Sequence, residues 1–325
     1  MLRVLMLLTK IGLSAGLVWY VLNRVDVGSA LEYLGNIQIV AILVVLALLF
    51  VQIVIAGLRL RELLTLMGAR CGIIKAIDVA FIGAFFGQTL ISFVGGDAMR
   101  IWRIVRSNIS LGLAARGVLL DRAAGFVGMI ILIILGLPFS LQIVRHPEMR
   151  WGLLVAIIVA VTGFMAFLSL WRIPDVLKQW RPLRWLADLS LIAVTISRNK
   201  KGLFALIGFS LAIHILNATV LYVIALGLSI DITFRDTMIL LPPVLLISML
   251  PISVAGWGVR EGAMVVALSF VGVPSHHSLA LSICFGLCLL VISLPGGVLW
   301  FVNRGELASD KVSPADLASK KGMNL

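Results

Sequence analysis

Acidic residues are scarce in this chain: 15 Asp and Glu stand against 27 Lys and Arg in 325 residues, and charged residues of all kinds make up only 13%. A soluble domain carries about 25% charged residues, so this scarcity excludes an ordinary globular surface. Cysteine is sparse too. Cys71, Cys284 and Cys288 are too few for a disulfide framework, and the last two share an apolar stretch without His or carboxylate neighbours, so core packing is their expected role. The sequence contains no HExxH, CxxC, P-loop, GxSxG or dinucleotide fingerprint, and its 4 histidines lack metal-ligand spacing. No catalytic residue, metal or cofactor is therefore expected.

What is abundant is apolar side chain. Hydrophobic residues reach 61% and the mean hydropathy is +1.12, far more than a globular core can absorb, so the expected class is an all-α polytopic membrane helix bundle. The net charge of +12 is not read as nucleic-acid binding. The basic residues lie between apolar runs, where the positive-inside rule and anionic lipid head groups account for them.

Runs of bilayer-spanning length, about 20 residues, lie near 3 to 22, 37 to 57, 123 to 144, 152 to 171, 202 to 228 and 278 to 302. The first carries Lys10 and has no small-x-small cleavage site after it, so it reads as a retained span, with Gly12 and Gly16 in helix-contact spacing. Two basic segments, 59 to 75 and 172 to 201, read as interfacial helices. The polar stretch 304 to 325 reads as a disordered cytoplasmic tail on a transmembrane domain of residues 1 to 303.

Two apolar stretches, 76 to 96 and 237 to 272, are interrupted by glycine-rich polar clusters, ISFVGGDAMR at 91 to 100 and PISVAGWGVREG at 251 to 262. Charge counting predicts their topology. A simple span at 76 to 96 would carry Arg100, Arg103, Arg106, Arg116 and Arg122 outside, against the positive-inside rule, whereas a re-entrant hairpin keeps them inside. The same count makes 237 to 272 dip from the outer face, with both chain termini cytoplasmic. Ile91–Gly95 and Ile252–Gly256 also match at several positions. Opposed entry with similar breaks suggests an inverted repeat around a site near the midplane.

In the first cluster Gly95 and Gly96 suit a hairpin tip or helix break, and Asp97 is placed to cap the following helix. Arg100 either pairs with Asp97 at i, i+3 or joins Arg103 in holding a lipid phosphate. In the second, Pro251, Gly256 and Gly258 break the backbone before Arg260 and Glu261. Neighbours on a helix point different ways, so each is expected to find a distant partner, with Asp121 and Arg122 as candidates. A structural ion pair and a phosphate contact by Arg260 both remain open. His214, Asn217 and Ser210 either face a cavity or bond between helices.

The succession RLRELLTLMG, FVGGDAMR, Asp121-Arg122 and LPISVAGWGVREGA, followed by Gly272-Val273, resembles the lysylphosphatidylglycerol synthase transmembrane family of flippase-like proteins. The resemblance runs from the first span to Gly297. It departs at Phe93-Val94, where a proline-containing turn is expected. It implies a bacterial or archaeal inner-membrane protein that moves, or helps to make, a phospholipid or polyprenyl-linked lipid. In the aminoacyl-phosphatidylglycerol members a separate cytoplasmic domain performs synthesis. The short stretch after Arg304 leaves that activity unexpected here.

The leading expectation is thus a translocator for an anionic phospholipid, aminoacyl-phospholipid or polyprenyl-phosphate-linked lipid. Its expected head-group contacts are Arg100, Arg103, Asp121, Arg122, Arg260 and Glu261. Two alternatives stand beside it: a lipid-modifying transferase with Asp97 or Glu261 as base, and a non-transporting partner of a lipid-synthesis enzyme. Self-association as a homodimer is also open.

Overall fold

The computed structural model describes residues 32, 34–89, 93–143, 147–249 and 257–304. The predicted first span and the polar tail therefore lie outside the described residues. Within them the chain is an all-α polytopic helix bundle, 87% helical and without strands. Eleven α-helices follow in order. They are α1 (Ile39–Leu66), α2 (Ile73–Thr89), α3 (Phe93–Val105), α4 (Leu111–Ile143), α5 (Pro147–Ser169), α6 (Asp175–Lys178), α7 (Arg181–Arg198), α8 (Lys200–Gly227), α9 (Phe234–Ser248), α10 (Val259–Ser269) and α11 (Ser275–Arg304).

Five of these helices contain stretches long and apolar enough to cross a membrane: Ile39–Leu66, Leu111–Gln142, Arg150–Arg172, Lys200–Gly227 and Ser275–Val302. They coincide with the five later runs predicted from hydropathy. At 1.5 Å per residue, a helix the length of α1 or α8 reaches about 42 Å, ample for a hydrocarbon layer of about 30 Å. Large apolar side chains such as Leu43, Phe50, Ile158 and Phe301 face outward, as lipid-facing positions do in a bundle whose apolar surroundings replace water.

The central helices α1 and α8 lie side by side along most of their length and run antiparallel. Gly202 at the start of α8 sits against Leu66 at the end of α1, and Gly227 at the end of α8 against Ala41. Around this pair the order long, short, short, long occurs twice. Helices α1 to α4 have 28, 17, 13 and 33 residues, and α8 to α11 have 28, 15, 11 and 30. The packing repeats as well: α2 lies on α11, α9 lies on α4, and each short helix pairs with the one that follows it. The two halves are therefore alike in helix order and packing.

The first short pair is a hairpin. Asp78 lies beside Arg103, Gly83 beside Arg100, and Gly83 and Gly87 beside Gly96, so α2 and α3 run antiparallel. The end of α1 and the start of α4 meet at one end of the bundle, where Leu64 covers Gly117. The hairpin α2–α3 therefore starts from and returns to that end. The other short pair, α9 and α10, packs together, and Leu228, Ile230, Ile232, Val273 and Leu279 belong to one buried apolar core. A reciprocal cap starts α9: the Thr233 hydroxyl accepts from the Asp236 N–H (3.2 Å), and the Asp236 carboxylate accepts from the Thr233 N–H (2.9 Å).

Two local expectations are corrected. Residues 59 to 66 are not a separate helix; they are the last turns of α1, with Arg59, Leu60, Leu63 and Leu64 buried. The helix continues because the buried Arg59 finds a carboxylate inside the bundle. Gly95, Gly96 and Asp97 lie inside α3 rather than at a tip or cap. Gly96 serves close approach instead: an added Cβ would lie 2.7 Å from the Gly83 carbonyl oxygen and 3.0 Å from the Gly87 nitrogen. Pro251 and Gly256 lie outside the described residues, while Gly258, with φ of 85°, holds the left-handed turn that opens α10. Cys284 and Cys288 are free and belong to the main apolar core.

Candidate functional site

One chain of charged side chains stitches four helices together inside the bundle. Arg59 on α1 donates through Nε to Asp121 Oδ1 on α4 (2.8 Å) and through Nη1 to Ser210 Oγ on α8 (3.1 Å). Arg100 on α3 donates through Nη2 to the other oxygen of Asp121 (2.7 Å) and stands 3.7 Å from Asp97. Arg122 donates through Nε to Asp97 Oδ2 (2.6 Å). By helix rise, Ser210 lies about 15 Å from the start of α8 and Arg59 about 10 Å from the end of α1. Charges at that depth persist only when paired or when they face a polar cavity. Here both hold. Asp121 is only 1% exposed and saturated by two guanidiniums, and the group lines a cavity of about 330 Å³.

Glycines make room for the long side chains. A Cβ at Gly83 would fall 2.5 Å from Arg100 Cγ, and one at Gly125 would fall 3.1 Å from Arg59 Nη1. Both replacements would place carbon where an arginine now passes. The cavity is also lined by Gln52, His214 and Gln88, and by the apolar Ile53, Leu289 and Ile292. His214 Nε2 stands 2.9 Å from the Gly125 carbonyl oxygen. That oxygen can only accept, so Nε2 carries the proton.

The polar cavity adjoins an apolar one. Arg122 and Met249 line both it and a groove of about 520 Å³ walled by Phe126, Val159, Gly163, Phe164 and Leu246. Phe164 and Phe167 continue into a further apolar cavity of about 200 Å³ between α4, α5, α7 and α8. Arg122 thus stands where a charged chamber meets surfaces suited to hydrocarbon.

Of the residues expected from sequence, Arg100, Asp121, Arg122 and Asp97 come together here. Arg103 does not: its Nε bonds Asp78 at 2.6 Å, with Lys75 4.0 Å from the same oxygen, outside the cavity. Nor do Arg260 and Glu261. The expected distant partners, Asp121 and Arg122, are taken by other residues, and Arg260 bonds its own neighbour Glu261 through Nη2 (2.7 Å) and Nε (3.1 Å). At the first turn of α10 the Glu261 carboxylate folds back to accept the Gly258 N–H, and it also accepts from Ser282 Oγ (3.3 Å). That return brings it beside the Arg260 guanidinium, which lies 4.8 Å from the Trp257 ring centroid and 5.9 Å from that of Phe285.

Arg59 was assigned to the interface by sequence, and Gln52 went unnoticed. The signal was helical spacing: Gln52, Ala56 and Arg59 fall at i, i+4 and i+7, one face of an apolar helix. The expected placement of His214 with Ser210 toward a cavity agrees with the geometry, His214 on its wall and Ser210 bonded to Arg59.

No curated protein matches the chain. The family model described as the lysylphosphatidylglycerol synthase TM region matches residues 7–296, a stretch that contains every charged residue of the cavity. The chain is a multi-pass membrane protein of lipid metabolism and belongs to the lysylphosphatidylglycerol synthase transmembrane family.

Proposed function

We propose that the protein is a lipid translocator. The observation that carries this reading is the junction at Arg122. A chamber with three arginines and two carboxylates opens beside an apolar groove, the two environments that a phospholipid presents to its carrier. The phosphate would sit against Arg122 and Arg100, whose planar guanidiniums suit phosphate oxygens, while the acyl chains lie along α4 and α5.

The two similar halves support the same reading. The hairpins α2–α3 and α9–α10 are read as re-entrant from opposite faces, so that tilting one half against the other exposes the chamber to either leaflet. The positive-inside rule supports a cytoplasmic position for the end holding Leu66, Gly117 and Gly202.

Reconstitution with fluorescent phospholipids tests the proposal. Protein-dependent exposure of inner-leaflet label to an impermeant quencher is expected, and Arg122→Gln is expected to slow it by about tenfold, the worth of one charged hydrogen bond. Arg122 is 33% exposed on its side chain, so its loss should leave folding nearly intact. Equal rates in protein-free liposomes, wild type and variant would refute the reading.

A further inference from the structure

The chamber's unpartnered atoms describe its ligand more closely than its arginines do. Four buried polar atoms of lining residues have no hydrogen-bond partner: Gln52 Oε1, His214 Nδ1, Asp97 Oδ1 and Arg100 Nε. Three are acceptors and one is a donor. His214 is the firmest of them. Its residue is only 7% exposed, and with Nε2–H donated to Gly125, Nδ1 of the neutral ring is a lone pair. A buried acceptor left alone is costly, about 1–3 kcal/mol each, so a protein that keeps several among the residues lining one cavity is built to receive donors there.

The charges set a second constraint. The lining contains Arg59, Arg100 and Arg122 against Asp97 and Asp121, a net single positive charge. Resting on the translocator reading, we infer that the chamber is built for a singly charged phosphodiester lipid whose head group carries hydroxyls. The phosphate neutralises the excess charge and takes the Arg100 Nε donor. The hydroxyls donate to His214 Nδ1 and Gln52 Oε1. A phosphomonoester lipid brings more charge and no such hydroxyls. A cationic aminoacyl head group supplies donors but adds to the positive charge already present.

The test uses the full chain in detergent and in liposomes with three probes: phosphatidylglycerol, phosphatidic acid and lysyl-phosphatidylglycerol. Native mass spectrometry reads retention, and the quenching assay reads movement. Phosphatidylglycerol is expected to be retained at least about tenfold better than the other two, the effect of one or more satisfied hydroxyls. Soluble glycerophosphoglycerol should compete, which separates head-group recognition from affinity for acyl chains. His214→Phe keeps the ring and removes the acceptor, and should erase most of the preference over phosphatidic acid. Gln52→Leu provides the same measurement from another helix should the first variant fail to fold. Equal retention of all three lipids, or preference for the cationic or monoester lipid, overturns the inference even if lipids move. Selective retention without movement would instead leave the inference standing and remove the translocator reading.

Discussion

In the hairpin α2–α3, Asp97 pairs with Arg122 and Arg100 with Asp121, both on α4, while Arg59 reaches Asp121 from α1. In the other short pair, α9–α10, Arg260 and Glu261 satisfy one another within a single turn, and Ser282 and the Gly258 N–H complete the group. Both arrangements solve the problem of charge in an apolar bundle. They differ in what remains. The first leaves unpartnered atoms around a chamber, whereas the second is closed against aromatic rings. Of two similar halves, one has kept a site and the other a clasp, and the unusual residue types of the second cluster do not by themselves mark a binding surface.

The largest effect should come from breaking the cross-helix chain at its centre. Asp121→Asn leaves Arg59 and Arg100 buried together without their shared carboxylate, and breaking a buried pair in this way costs about 3–5 kcal/mol. Denaturant unfolding in detergent should show that loss. A cost under about 1 kcal/mol would mean that the chain of charges does not hold these helices. The double variant Arg59→Met, Asp121→Asn should recover part of the loss, because one uncompensated cation is then removed.

Breaking the clasp should cost less. Glu261→Gln retains an oxygen for the Gly258 N–H but leaves Arg260 without its carboxylate, and a loss of about 2 kcal/mol is expected. The discriminating readout is lipid selectivity. Because neither residue lines the chamber, the preference among head groups should persist in the folded variant. A change in selectivity equal to that of a chamber variant would erase the contrast between the halves.

The contrast also explains what could be read in one dimension. Apolar runs are a linear property, and they located the later spans. Pairing is not linear. Arg59 and Asp121 are 62 positions apart, and only the helical spacing of Arg59 from Gln52 and Ala56 marked its guanidinium as inward. Glu261 misled for the converse reason. The rule that adjacent residues on a helix point apart holds in the interior, but at the first turn a carboxylate can fold back to the capping N–H and meet its neighbour. The break at Gly95-Gly96 was similarly displaced. Gly96 is small because α2 comes close, not because the chain turns there.

The smallest change in stability should be the most informative about the chamber. Gly83 and Gly286 each face an arginine: an added Cβ at Gly83 would lie 2.5 Å from Arg100 Cγ and 2.6 Å from its Cδ, and one at Gly286 would press on the Arg260 guanidinium and lie 3.1 Å from the Trp257 ring. Alanine gains about 1 kcal/mol over glycine within a helix. At Gly83 that gain offsets the shift of a side chain that borders open space, so Gly83→Ala should unfold within about 1 kcal/mol of wild type. It should still displace Arg100 Nε, weakening retention of an anionic lipid by about tenfold. At Gly286 the guanidinium is held between Trp257, Phe285 and Glu261 and has nowhere to move, so the same substitution should lower stability by about 1–3 kcal/mol while head-group preference persists. If the two alanines behaved alike, in either readout, the division of the halves into site and clasp would fail.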